Sequence, residues 1–242
     1  MAESSALGAE TDDGIAAALT IKLDRRQSVS DQIYAALKRA IVSVRLPPGT
    51  SISENRICRH MGVSRTPVRE AIIRLVEDEL IDVFPQQGSF VAPIKLTTIH
   101  ESHFVRKALE IEVLRRAASA WTPGASASLR AFIARQEMAL ASGADDEFHD
   151  LDELFHRQFC HVASLEGVWN TIRGAKSRVD RLHRLSAIQG RLPLVVIEHR
   201  AVIDALDAGD ANLAVERLVY HLDRALHILE TLRLQHEKYF VE

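Results

Sequence analysis

Apolar side chains recur with the period of an α-helix early in the chain. After Ser30 they follow at intervals of three or four residues, at Ile33, Leu37, Ile41 and Val44. This spacing predicts an amphipathic helix that begins at a serine cap and ends before the turn sequence "LPPGT".

Two shorter helices are predicted after this turn. Ser53 is a suitable N-cap for a helix through about His60, and Ser64 for a helix through about Glu77. Gly62 allows a tight turn between the two helices. Two short helices in this arrangement predict a helix-turn-helix. The β-type runs "LIDVF" and "SFVAPI", separated by "PQQG", then predict a small hairpin packed against the helices.

The chain from Thr97 onward shows helical periodicity and no strand pattern. Turn sequences such as "TPG" and "AGD" separate about six predicted helices, at residues 98–120, 126–141, 145–163, 170–189, 193–208 and 211–237. The expected fold class is therefore mainly α. It combines a flexible arm over residues 1–27, a helix-turn-helix domain with its β-hairpin over 28–95, and an all-helical bundle over 96–242.

The composition is that of an ordinary globular protein, with 242 residues, 47% hydrophobic and 26% charged. No apolar run approaches the roughly 18 residues of a membrane-spanning helix, and the N-terminus is acidic, so we expect a cytoplasmic protein with no membrane partner. Cys58 and Cys160 fall in different predicted domains, so no disulfide is expected. The charge is uneven: residues 22–95 hold 12 Lys and Arg against 8 Asp and Glu, a net charge of +4 that weakly favours a polyanionic partner.

Positive charge is concentrated at the start of the helix that follows Ser64. Arg65, Thr66 and Arg69 share one side of this helix, where the helix dipole already disfavours cations, so an anion is expected to bind there. The opposite side carries residues that fit a core: Val68, Ile72, Leu75 and Val76. The arginine fork matches the O6 and N7 acceptors of guanine in the major groove, which points to DNA. The alternative is pairing of these arginines with carboxylates such as Glu70 and Glu77.

Four residues of the helical part have the spacing of a metal site. Asp152 and His156 lie four apart on one helix face, and His199 and His221 arrive from two other predicted helices. Three imidazoles and one carboxylate suit Zn, Mn, Ni or Fe. Each histidine taken alone is more often a packing or solvated residue, and His149, His161, His183, His227 and His236 are interpreted in that way.

The motifs "PPGT", "GVSRTPVREA" and "QQGSFV" within residues 28–94 resemble the winged helix-turn-helix of the GntR family of bacterial transcription regulators. The resemblance implies that Arg65 and Arg69 contact operator DNA, with Thr66 near phosphates, Gly88 at the wing tip, and Asn55 adding a contact. Two positions depart from the family pattern, since Glu79 and Ser43 stand where glycines are usual.

Residues 98–228 resemble the FCD ligand-binding domain of the FadR subfamily. The resemblance implies that Asp152, His156, His199 and His221 hold a divalent metal, with Zn expected first and Ni, Mn or Fe as alternatives. It also implies a small carboxylate effector, which we expect to be a sugar acid. A buried carboxylate needs a cationic partner. The candidates for this role are Arg106, Arg178 and Arg181.

The function predicted from the sequence is that of a transcription regulator, a repressor in the usual case, whose operator affinity changes when the effector binds. A homodimer is expected because two DNA-binding heads meet a palindromic site. The first alternative is a metal-dependent enzyme acting on a small carboxylic acid, although no motif supplies a catalytic base. The second is a helical oligomerisation scaffold with a structural metal.

Overall fold

The computed structural model describes Ile15, Ala18, Leu19 and residues 21–24, 26–188 and 190–242. These residues form two compact units. One comprises the described residues up to Leu96 together with His236–Glu242, and the other comprises Thr97–Gln235. We call the first the DNA-binding unit, after the function predicted for it from the sequence, and the second the helical unit. Within the described chain, no helix combines the length and the apolar character needed to cross a membrane.

The DNA-binding unit contains the three helices predicted from the sequence, α1 (Val29–Val42), α2 (Glu54–Met61) and α3 (Arg65–Glu77). Helix α1 is capped by Ser28, whose hydroxyl accepts from the N–H of Asp31, rather than by the predicted Ser30. Val44 lies beyond the helix with a φ of 59°, so the predicted periodicity overran its end. The cap of α2 is Ser53, as predicted, and Gly62 ends that helix in the left-handed conformation.

The core of this unit is built from the inner faces of the three helices. Val68, Ile72 and Leu75 of α3 are buried as expected, but Val76 is 38% exposed and lies outside the core. Glu79, where the family usually has glycine, has a φ of 58°, which explains why a glycine is favoured at this position.

The predicted hairpin is confirmed as β2 (Ile81–Phe84) and β3 (Gly88–Val91), and a short strand β1 (Ser51–Ile52) joins it in an antiparallel sheet of order β1-β3-β2. A second, parallel pair joins β4 (Ile94–Lys95) to β5 (Phe240–Val241). The expectation of no strand after Thr97 was therefore wrong at the C-terminus, because a two-residue strand has no periodicity to detect.

The predicted flexible arm, residues 1–27, lies largely outside the described residues. Three of its described residues are buried against the core of the DNA-binding unit, namely Ile15, Ala18 and Leu19. The carbonyl oxygen of Leu19 lies 3.1 Å from Nε2 of His60 on α2. This part of the arm is packed, and the prediction of flexibility is corrected for it.

The helical unit is an all-α bundle, as predicted, whose helices contribute to one hydrophobic core. Where one helix was predicted over residues 211–237, the structure has two, because Ile228 ends the first and a new helix follows at once. The bounds are α4 (Leu96–Ser119), α5 (Pro123–Ser142), α6 (Asp145–Val162), α7 (Val168–Ile188), α8 (Leu192–Asp207), α9 (Ala211–His227) and α10 (Leu229–Gln235), followed by a 3-10 turn (Glu237–Tyr239). Cys58 and Cys160 are free thiols.

Candidate functional site

The first turn of α3 presents its polar side chains to solvent. Arg65, Thr66 and Arg69 are exposed, while Val68 on the opposite face is fully buried. The hydroxyl of Ser64 occupies the N-cap position but makes no capping hydrogen bond. The N–H groups of this first turn therefore lack that side-chain partner, which suits them to a phosphate oxygen.

The two arginines of this turn differ in their surroundings. Nε of Arg69 lies 2.9 Å from Oε2 of Glu54 on α2, so this arginine does pair with a neighbouring carboxylate. Both side chains remain accessible, at 60% and 34% exposure, and an exposed pair of this kind contributes at most about 1 kcal/mol. Among the described residues, no ion pair or hydrogen bond of the Arg65 guanidinium is found.

The other predicted DNA contacts lie on exposed positions of the same unit. Asn55 is exposed in the first turn of α2. Gly88 follows the tight turn of the hairpin with a φ of 114°, a conformation that L side chains rarely adopt. The structure thus places all five predicted residues on the surface of one unit, and their contact with DNA stays a prediction.

In the helical unit, three helices bring the four predicted metal ligands together. Helix α6 supplies Asp152 and His156, α8 supplies His199 and α9 supplies His221, and all four are buried. One ligand atom from each lies within 4.8 Å of the others. Oδ1 of Asp152 is 3.4 Å from Nε2 of His199 and 3.9 Å from Nε2 of His156. This separation suits ligands that surround an ion rather than hydrogen-bond to each other.

A polar side chain binds the outer nitrogen of each imidazole. Nδ1 of His156 lies 2.6 Å from Glu110. Nδ1 of His221 lies 2.9 Å from Glu198, and Nδ1 of His199 lies 3.1 Å from Oε1 of Gln136. Because each of these partners offers an acceptor oxygen, we assign the tautomer in which Nδ1 carries the proton and Nε2 keeps its lone pair. Outer partners of this kind fix ring orientation in histidine metal sites.

The protonation states of the candidate ligands also favour metal binding. Burial lowers the pKa of His199 and of His221, so both imidazoles are neutral at neutral pH. Burial alone would raise the pKa of Asp152, but the ammonium of Lys176 holds that pKa well below its usual value. Neutral imidazoles and an ionised carboxylate are the forms that ligate metals.

One atom directly tests whether the residues fit an ion. Nε2 of His199 is fully buried and has no hydrogen-bond partner among the described residues. An unsatisfied buried nitrogen costs free energy, about 1–3 kcal/mol, and coordination would remove that cost. The donor set and this orphan lone pair together fit a divalent metal.

A cavity with about 480 Å³ of empty space, part of it open to solvent, adjoins these residues. Arg106 lies in its wall, where Nε donates to Glu110 and Nη2 lies 3.2 Å from Nε2 of His156. The structure does not bring the other two predicted arginines to the wall, since Arg178 is exposed and Arg181 is buried elsewhere. The wall comprises Arg106, Phe148, His149, Asp152, His183, Ser186, Arg191, Leu192, Val195, His221 and Leu222.

Several residues that line the cavity or hydrogen-bond to the candidate metal ligands were not identified from the sequence. His149 and His183 were interpreted as packing or solvated residues, but both line the cavity. Arg191 lines it too and forms a two-pronged pair with Glu198, at 2.9 and 2.7 Å. The only sequence signal that could have identified Glu198 was its position next to a predicted metal ligand. Gln136, 63 residues from His199, gave no signal.

A winged helix-turn-helix with an exposed basic helix, followed by a helical bundle, is the architecture of a DNA-binding regulator. Comparison with known families agrees. Residues 29–91 match the model for bacterial regulatory proteins of the gntR family, and residues 101–224 match the FCD domain. The chain belongs to the GntR family, in its FCD-containing FadR-like branch, and is a transcription regulator rather than an enzyme.

Relatives support the same assignment. The chain is 33% identical over 222 residues to the HTH-type transcriptional repressor RspR of Escherichia coli, covering 91% of this chain and 97% of that one. It is 30% identical over 209 residues to a Paenarthrobacter nicotinovorans protein named as the probable repressor of a D-xylose utilization operon, covering 84% and 89%. The solved structure of E. coli McbR/YncC shares the fold, with a TM-score of 0.71 at 23% identity over 85% of this chain and 98% of that one.

Proposed function

We propose that this regulator is a repressor whose helical unit senses a small carboxylate at a divalent metal centre. Asp152, His156, His199 and His221 hold the metal, and zinc is the ion we expect first, with nickel, manganese or iron as alternatives. The observation that carries the proposal is the convergence of one ring nitrogen from each of three histidines and one carboxylate oxygen, each imidazole being hydrogen-bonded through Nδ1.

The chemistry of the cavity favours an anionic effector. Arg106 is buried in the wall and Arg191 lies in it too. The bound metal supplies further positive charge to the oxygens of an acid. Ser186 and His149 add polar groups that suit hydroxyls, which favours a sugar acid. The relative named for a D-xylose utilization operon supports a carbohydrate-related ligand.

On the DNA side, we propose that Arg65 and Arg69 read base edges in the major groove. Thr66 and Asn55 bind phosphates or add base contacts, and Gly88 lets the wing approach the minor groove. Two copies of the chain are needed to meet a two-fold symmetric operator, so the working form is a homodimer. Exposure of all five residues on one unit supports this interface.

The metal centre is tested by elemental analysis and zinc titration of the purified protein. We expect one zinc per chain, and loss of that zinc in a His199→Ala variant. Thermal-shift screening of the zinc-loaded protein against a panel of carboxylic acids then identifies the effector, because a tight ligand raises the midpoint. A wild-type protein that binds no divalent ion would contradict the proposal.

Operator binding is tested by gel shift with fragments from beside the gene itself. Salt must be fixed and moderate, because phosphate contacts alone give non-specific binding that weakens steeply with salt. We expect a discrete complex that random duplex does not compete away, and release of the DNA by the identified acid. Equal affinity for random duplex would refute sequence-specific regulation.

A further inference from the structure

Helix α7 places a buried lysine beside the proposed metal centre. Lys176 is only 4% exposed, and its Nζ lies 3.3 Å from Oδ2 of Asp152. Asp180, one turn later in the same helix, holds the ammonium from the other side at 2.8 Å. Lys176 is absent from the cavity wall, so it faces a proposed ligand and not the effector space.

The two oxygens of Asp152 consequently have different neighbours. Oδ1 faces Nε2 of His199 and of His156, whereas Oδ2 faces the ammonium of Lys176. A carboxylate can bind a cation through one oxygen or through both. We propose that Lys176 is a positioning residue that restricts Asp152 to single-oxygen ligation and weakens the hold of the centre on divalent cations. This inference rests on the proposed metal centre.

Charge explains the weakening. Asp152 is the one anion among the four ligands, and Lys176 takes part of its charge. The ammonium also repels any divalent cation bound to that carboxylate, and repulsion between buried charges is stronger than at the surface. Removing Lys176 leaves Asp152 buried and within 4.8 Å of ring nitrogens of the three histidines, so the carboxylate keeps these neighbours. A centre weakened in this way can exchange its ion.

The test compares zinc affinity in wild type and Lys176→Met by competition with a chromogenic chelator. The double variant Lys176→Met/Asp180→Asn removes the ammonium together with the negative charge of its partly buried partner. We expect both variants to bind zinc roughly tenfold or more tightly than wild type, because a positive charge that repels the ion has been removed from a buried site. Lys176→Arg keeps the charge and is expected to stay close to wild type.

A matched control is a lysine–aspartate pair of the DNA-binding unit, in which Nζ of Lys38 lies 2.8 Å from Oδ2 of Asp78. Lys38→Met/Asp78→Asn removes a partly buried lysine–aspartate pair far along the chain from the centre, and we expect unchanged zinc affinity. The visible spectrum of bound Co²⁺ gives a second readout. It is expected to change when Lys176 is removed, because Asp152 then gains a second ligating oxygen, and not in Lys176→Arg.

Wild-type protein also tests the geometry, through a crystal structure with zinc bound. We expect one oxygen of Asp152 on the metal and the other on Lys176, and ligation through both oxygens would overturn the inference. Wild type that binds zinc as tightly as Lys176→Met/Asp180→Asn would overturn it while leaving the metal centre intact. Absence of zinc binding in wild type and variants alike would overturn both proposals.

Discussion

The first turn of α3, which we call the tip, and the cluster proposed to hold a metal, which we call the centre, are both built from charged side chains, yet in opposite ways. At the tip, Arg69 and Glu54 form a single ion pair with both side chains accessible. At the centre, Glu110 accepts hydrogen bonds from both Arg106 and His156, and all three side chains are buried. The tip is thus loosely paired, and the centre is tightly connected.

This difference follows from solvation. Water and salt screen the charges at the tip, so an arginine there can leave a carboxylate for a phosphate or a base at little cost. Buried charges cannot lose a partner without a large penalty. The centre therefore holds its groups in fixed positions before any ligand arrives, whereas the tip keeps its arginines available. Four changes test this contrast, from the largest expected effect to the smallest.

Truncation of one buried carboxylate should have the largest effect. Glu110→Ala leaves the guanidinium of Arg106 buried without its carboxylate, and we expect a loss of about 3–5 kcal/mol in the free energy of unfolding. The control on the same helix is Glu112→Ala, which breaks the exposed pair with Arg116 and should cost less than about 1 kcal/mol.

Urea unfolding measures this difference. Trp121 and Trp169, the two tryptophans of the sequence, both lie in the helical unit, so their fluorescence reports that unit. Equal losses in the Glu110 and Glu112 variants would show that the buried network is not more tightly connected than the surface pair.

Acid should destabilise the helical unit before its carboxylates titrate. Burial, with help from nearby cations, lowers the pKa of His149 to about 3 and that of His183 to about 4. Below about pH 6.5 the unfolded chain takes up these protons and the folded chain does not. Stability present above pH 6.5 is therefore lost as pH falls toward 4, by about 1 kcal/mol per pH unit for each histidine.

Urea unfolding at several pH values between 7 and 4.5 checks this prediction. The His183→Asn variant should show a shallower loss across that window, because one of the two groups no longer titrates. A free energy of unfolding that stays constant from pH 7 to 4.5 would contradict the neutral state of both histidines in the folded chain.

Removal of one tip arginine should affect DNA binding and not stability. Arg65→Ala is expected to weaken operator binding by about 1–3 kcal/mol, roughly 5-fold to 150-fold, and to relax sequence preference. Arg45→Ala, at another exposed arginine of the same unit, is the control. A uniform decrease on operator and random duplex would mean that Arg65 binds phosphate and reads no base.

The smallest effect is expected from Glu54→Gln. This change releases Arg69 from its carboxylate and should alter the free energy of unfolding by less than about 1 kcal/mol. Operator affinity should rise slightly at low salt and not at high salt, because one negative charge near the DNA has been removed. Loss of operator binding would show instead that Glu54 positions Arg69.

Local sequence signals predicted most of the fold. The helix-turn-helix follows from Ser53, Gly62 and the apolar spacing of α3, each of which acts over a few residues. The segments that were missed depend on distant partners. Strand β5 is two residues long and pairs with β4 from the far end of the chain, and the burial of Leu19 depends on the core of the DNA-binding unit.

In the candidate site, too, the residues with a local sequence pattern were predicted and those that depend on distant partners were not. The i,i+4 spacing of Asp152 and His156 indicated a shared face, and the structure brings both together with His199 and His221. Gln136 and Lys176 could not be found, because hydrogen bonds between helices distant in sequence have no local pattern. Metal and DNA binding by the predicted residues stay predictions.

The most direct test of the account is one titration: operator affinity of the zinc-loaded protein, with and without the acid found by thermal shift. We predict specific binding without the acid and at least a roughly tenfold loss with it, the size of a typical coupling between two sites. In His199→Ala the acid should have no effect. Operator binding that responds equally to the acid in wild type and in His199→Ala would contradict control through the metal centre.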